Sequence, residues 1–217
     1  MLSIVTMKMM KNFLCLIFFI VPLSLIAHPH TFMDMRIGIL SNQDEIVGFK
    51  IEWEFDYFFS SSVISQCDWD NNGHFDTQEL EHLEYFAFNN LENFHYFTTI
   101  IHNDKLFYPK KYNNFKAWCK NDTLCYSFVI PYKVPFSTLK TFSIGIYDDT
   151  FYCDVAFLPE RSFYWETPPS ESIKSYIAKA KKTITYDNEV VGSKRAGAIY
   201  TGVATPDILY IKNEITP

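Results

Sequence analysis

The chain has little of what marks extended or unstructured material: 7 glycines and 10 prolines among 217 residues leave no room for a collagen-like repeat or a linker. Charge is sparse at 20%, and the basic residues, 19 against 25 acids, are outnumbered to a formal net charge of -6. That balance argues against a nucleic-acid binder and against a polybasic membrane-surface protein. Long apolar runs are missing after residue 27, so the chain does not read as a permease. Also missing are the G-x-S-x-G, P-loop and dinucleotide-binding glycine motifs, as is any Ser/His/Asp or Cys/His set, and the expectation is a protein that is not an enzyme. What is abundant is core material. Hydrophobic residues make up 48% and aromatics 18%, enough for a folded domain.

The first 27 residues read as an export signal. Lys8 and Lys11 precede an apolar run from Phe13 to Ala27, shorter than the roughly 20 residues a span needs and suited to a signal-peptide core. The alternative is an uncleaved anchor. Cleavage after Ala27 removes two cations and deepens the acidic balance. It also removes Cys15 and leaves Cys67, Cys119, Cys125 and Cys153 in an oxidising periplasm.

Residues 28–217 read as one β-rich domain, α+β in class: a mainly antiparallel β-sandwich with a helix–loop–helix hairpin inserted at 57–96. Thr31–Leu40 and Ile46–Asp56 alternate apolar and polar residues, the period of half-exposed strands, around a turn at Ser41–Asp44. Tyr57–Gln66 and Thr77–His95 have helical apolar spacing, with Leu80, Leu83, Phe86 and Leu91 on one side of the second and Asp76 or Thr77 as its cap. Strands are expected again at 98–102, 114–119, 124–131, 141–147, 151–158 and 208–211. Glu166–Asn188 is open between helix and strand.

Between the helices runs Asp68-Trp69-Asp70-Asn71-Asn72-Gly73-His74-Phe75-Asp76-Thr77-Gln78-Glu79, which matches the EF-hand pattern D-x-[DN]-x-[DN]-G-x₅-E. Ca²⁺ takes six to eight hard oxygens, so the spacing assigns side-chain oxygens to Asp68, Asp70 and Asn72 and a backbone carbonyl to His74. Asp76 acts through water, and Glu79 offers two oxygens. Gly73 permits the turn, and Phe75 plugs the loop onto the core. The loop is solitary, so structural calcium at roughly 10⁻⁴–10⁻³ M affinity is expected over signalling.

Cleavage after Ala27 would expose His28-Pro29-His30, in which an α-amine and imidazoles offer a chelate to Zn²⁺, Ni²⁺, Co²⁺ or Cu²⁺. Pro29 has no N–H and blocks a square-planar backbone-amide site. Asp34 lies roughly 13 Å along a strand from His30, too far to share its ion. Tyr147, Asp148 and Tyr152, in the acidic and phenolic stretch 147–154, are candidate further ligands. The alternative is a solvated turn. Cys119 and Cys125 flank five residues with turn formers at their centre, and a bridge across that hairpin would contribute about 2 kcal/mol. Cys67 and Cys153 would then pair with each other.

The order His28-Pro29-His30-x-Phe32-x-Asp34, Trp53-x-Phe55-Asp56, the calcium-type loop and Tyr147-Asp148-x-Thr150-Phe151-Tyr152 resembles an uncharacterised bacterial family. Its members are described as periplasmic components of an ABC-type or nickel/cobalt-permease-linked transport system. The resemblance runs to about Leu158, departs at Cys153–Asp154, and does not extend over the last sixty residues. It implies a periplasmic partner of a membrane metal permease. The competing reading is a structural or interaction protein whose only ion is calcium.

Overall fold

The computed structural model describes residues 31–150, 152–160, 162–180, 183–189 and 199–215. The expected leader, His28 and His30 therefore lie outside the described residues.

Alternation gives the opening hairpin. Strand β1 (Thr31–Ser41) pairs antiparallel with β2 (Glu45–Phe55), Met33 opposite Phe55 and Ile37 opposite Ile51. The odd residues Met33–Ile39 of β1 and Phe49–Phe55 of β2 are buried, and the turn closes on Asn42, whose side-chain oxygen accepts from the Asp44 and Glu45 amides at 2.8 and 2.9 Å. Helix α1 (Tyr57–Cys67) follows at once, its first amides capped by the Asp56 carboxylate. Helix α2 (Thr77–Leu83) ends early. The chain widens into a π turn over Glu84–Phe88, then a 3₁₀ stretch over Asn89–Phe97.

The expected helix to His95 is thus corrected, for two physical reasons. The π turn moves the buried position from Phe86, which is 44% exposed, to Phe88, five residues past buried Leu83. His95, Tyr96 and Phe97 then take positive φ of 54°, 55° and 54°, which no right-handed helix accommodates.

The remaining strands are β3 (Thr98–His102), β4 (Lys105–Phe107), β5 (Asn113–Lys120), β6 (Thr123–Pro135), β7 (Thr141–Ile146), β8 (Cys153–Phe157), β9 (Phe163–Trp165), β10 (Ile173–Lys179), β11 (Ile184–Glu189), β12 (Ile199–Ala204) and β13 (Asp207–Asn213). The open stretch from Glu166 resolves into strands. One sheet runs β5-β6-β2-β1-β8, with β9 also on β1, and the second runs β10-β13-β7-β3-β4. Strands β11 and β12 pair with each other. The sheets are antiparallel except where β8 and β9 meet β1 in parallel. Their inner faces meet at rings such as Phe49 on Phe142, stacked at 5.1 Å, and one apolar cluster spans both. The architecture is β-rich and sandwich-like, with few helices.

Register overturns the first expected disulfide. Asn121 and Asp122 form a two-residue turn at positive φ, which sets Cys119 opposite Leu124 and Trp118 opposite Cys125. Side chains alternate along a strand, so Cys119 and Cys125 point to opposite faces. The second expected bridge fails on distance. Cys67 ends α1, whereas Cys153 is the register partner of Thr31, beside the end where α1 begins. An eleven-residue helix is about 16 Å long, and a bridge needs Cα atoms within about 7 Å. All four cysteines of the described residues are free thiols.

Candidate calcium loop and the acidic turn

The loop after α1 gathers its acids. Carboxylate oxygens of Asp68, Asp70 and Glu79 lie within 4.8 Å of one another. Asp68 and Glu79 are 4% and 2% exposed, and two such charges 4.8 Å apart repel by about 3 kcal/mol at an effective dielectric of ~20. Backbone donors hold them there. Asp68 accepts from the Asn72 amide at 3.1 Å and the Gly73 amide at 2.9 Å. Glu79 accepts from Trp69 at 2.6 Å through Oε1 and from Asp76 at 2.9 Å through Oε2. Asp70 and Asn72, both exposed, accept from the amides of Asn72 at 3.1 Å and His74 at 2.8 Å.

Gly73 sits at φ +79°, while a Cβ there would meet nothing within 4 Å, so its backbone angle and not crowding calls for glycine. Asp76 caps α2 by accepting from the Gln78 and Glu79 amides, and Glu79 returns the bond, a complete capping box. Phe75 packs against the core. Above the loop, Trp69 lies on His82 at 5.4 Å, and His82 on Phe86 at 5.8 Å.

The second acidic region is built differently. Asp148 is 7% exposed, and both its oxygens serve its own turn: Oδ1 accepts from the Thr150 amide and hydroxyl at 2.9 and 2.7 Å, Oδ2 from the Cys153 amide at 3.0 Å. Tyr147 faces elsewhere. Its ring lines a groove of about 640 Å³ on the second sheet with Ile101, Tyr176 and Tyr210, a groove that the sequence patterning did not single out. Tyr152 is 54% exposed. The three candidate ligands therefore do not converge on one point among the described residues. Their turn does adjoin the start of β1, because the Thr31 amide donates to the Tyr152 carbonyl at 3.3 Å. Cys153 lies there too. Burial, with Asp148 adding to it, pushes its thiol up to about 12.

Asp56 was missed as a site residue. Besides capping α1, it accepts the Phe32 amide through Oδ2 at 2.8 Å, tying β1 to the helix. The signal was an aspartate directly ahead of a helical pattern. Asp34, on the outer face, stands opposite Glu54. Partial burial and the Glu54 charge raise its pKa.

The family model described as "Protein of unknown function (DUF1007)" matches residues 13–188. An uncharacterised protein of Haemophilus influenzae is 27% identical over 151 residues, 68% of this chain and 71% of that protein. An uncharacterised 15.5 kDa protein in the trpE 3′ region of Spirochaeta aurantia is 29% identical over 95 residues, 44% of this chain and 68% of that protein. No solved structure matches.

Proposed function

We propose that this chain, which belongs to the DUF1007 family, is an exported protein that holds one Ca²⁺ in the EF-hand-like loop 68–79 and serves a transition-metal permease through its His28 end. The observation that carries the calcium reading is the convergence of Asp68, Asp70 and Glu79, two of them buried, with oxygens within 4.8 Å of one another as a hard cation requires. Asn72 and the His74 carbonyl belong to the same set, and Asp76 acts through water. Calcium here fixes a helix hairpin to the sandwich rather than relaying a signal.

The transition-metal part rests on connectivity. His30 is joined by one peptide bond to Thr31, and Thr31 is hydrogen-bonded to the Asp148–Cys153 turn. The α-amine of a new N-terminus at His28, with the two imidazoles, offers Zn²⁺, Ni²⁺, Co²⁺ or Cu²⁺ a chelate. A specific observation favours the second reading, a structural or interaction protein whose only ion is calcium: the Asp148 oxygens are already engaged by their own turn.

Metal analysis of the exported protein, with its N-terminus sequenced, separates the two. Calcium with a stoichiometric transition metal that is lost on His30→Ala supports the first. Calcium alone supports the second. Calcium affinity unchanged by Glu79→Gln sinks the loop in both.

A further inference from the structure

We propose that the groove on the outer face of the second sheet binds a short, neutral oligosaccharide. Register builds its floor. Tyr176, Tyr210, Ser143 and Ile101 stand opposite one another on β10, β13, β7 and β3, a single row across four strands. Neighbouring strands lie about 4.8 Å apart, so the row is about 14 Å long. In the next row a Cβ on Gly145 would collide with Ile208 and Tyr147, so both side chains lie low across the glycine. The hollow over these rows holds about 640 Å³, a size typical of small-molecule sites.

The lining selects the ligand class. Tyr176 and Tyr210 stack at 5.4 Å and 19°, and Tyr176 is 47% exposed, so the pair offers a ring face to the groove. Such a face carries partial negative charge and suits the C–H face of a sugar ring. The side-chain hydroxyls of Thr99, Ser143, Tyr147, Tyr176 and Tyr210 have no hydrogen-bond partner among the described residues. An apolar ligand would cover them without pairing them, which costs free energy. The cations of the lining are already engaged: Lys179 meets Asp207 at 3.0 Å and Lys212 meets Glu214 at 3.3 Å. Asp104, exposed on the rim, has no ion pair among the described residues and repels an anion. Its two oxygens accept side by side, as two adjacent sugar hydroxyls donate. The site uses no residue of the calcium loop or of the His28 end, so it stands or falls without them.

The test is isothermal titration of the exported protein with maltotriose, cellotriose and chitotriose at fixed calcium. The expected result is binding of at least one of them at millimolar strength or tighter. Tyr176→Ala and Asp104→Asn should each weaken it about tenfold, whereas Tyr176→Phe, which keeps the ring, should stay within about threefold of the parent. Melting of each variant is followed alongside. If Tyr176→Ala melts early, Asp104→Asn decides, because it changes one exposed turn residue at a positive φ that asparagine also adopts. The proposal is overturned if no trisaccharide binds up to about 10 mM, or if binding survives both substitutions. It is overturned in favour of an apolar ligand if Nile red binds, is lost on Tyr176→Ala, and is displaced by none of the three sugars.

Discussion

Two acidic turns in this chain look alike in composition and differ in what their carboxylates face. In the loop 68–79 the side chains of Asp68, Asp70 and Glu79 converge on one another, and backbone amides hold them from behind. In the turn 147–154 Asp148 faces its own backbone, Tyr147 lines a groove on the second sheet, and Tyr152 faces solvent over half its surface. Density of acids does not make a cation site. What distinguishes the two is where the spare lone pairs point once the backbone donors are satisfied. A single aspartate with three donors is a structural device, whereas three carboxylates gathered at one point keep lone pairs beyond those the backbone amides occupy.

The sharpest way to break this comparison is Asp148→Ala. If Asp148 is structural, removing a buried carboxylate that accepts three hydrogen bonds costs about 3 kcal/mol and lowers Tm by roughly 10 °C. The loss should be the same with calcium and with chelator, because the residue lies at the far end of α1 from the loop. A Tm unchanged by the substitution would make Asp148 a candidate ligand again.

Glu79→Gln tests the other turn and should do the reverse. If the loop binds Ca²⁺ with the weak affinity proposed, calcium at about 1 mM would add on the order of 1 kcal/mol to the folded state. For a chain of this length that is a Tm rise on the order of 4 °C. Thermal melts of the variant with and without calcium should coincide, while its melt in chelator stays near that of the parent.

The contrast between the turns was only half legible in the residues. The gathering of Asp68, Asp70 and Glu79 was readable because their spacing lies within twelve residues of one loop. The hairpin of β1 and β2 was readable for the same reason, since alternation and a turn at Asn42 are short-range signals. The environment of Asp148 depends on β7 and β8 lying in different sheets, and no local pattern encodes that. Helix α2 shows the same limit. Apolar residues continue at helical spacing past Leu83, yet packing places Phe88, not Phe86, in the core and inserts a wider turn to do so. The cysteine pairing was lost to a single residue of register, although Asn121-Asp122 was the turn signal that would have fixed it.

A smaller effect concerns the thiol within the acidic turn. Burial and Asp148 hold Cys153 neutral up to about 12, against an ordinary value of 9.0. A folded-state value above the unfolded one gives stability that is whole below pH 9 and is lost as pH rises toward 12. Cys153→Ser should therefore flatten the alkaline limb of the stability profile and leave neutral pH nearly untouched. The unreduced, denatured protein, once cleaved after Ala27 and so without Cys15, should also titrate as four thiols at Cys67, Cys119, Cys125 and Cys153, with Cys125 and Cys153 slow to react while folded. Two reactive thiols instead of four would restore a bridge.

The smallest expected change comes from the outer face, where Asp34 stands opposite Glu54 with Lys120 reaching Glu54 at 3.2 Å. The Asp34 carboxyl titrates above 3.8 because partial burial and the neighbouring charge disfavour its ionised form. Its contribution is whole below pH 3.8 and declines as pH rises through the folded value, so at neutral pH the charged side chain opposes the fold. Asp34→Asn removes that opposition. The variant should melt slightly higher than the parent at pH 7, and the gain should shrink toward nothing in acid. Solvent at this exposed position screens the effect, which keeps it to a fraction of what either buried turn shows. A gain that persisted unchanged in acid would mean that the asparagine acts through packing. A Tm drop at pH 7 would mean that the charge of Asp34 supports the fold on this face, against the raised pKa.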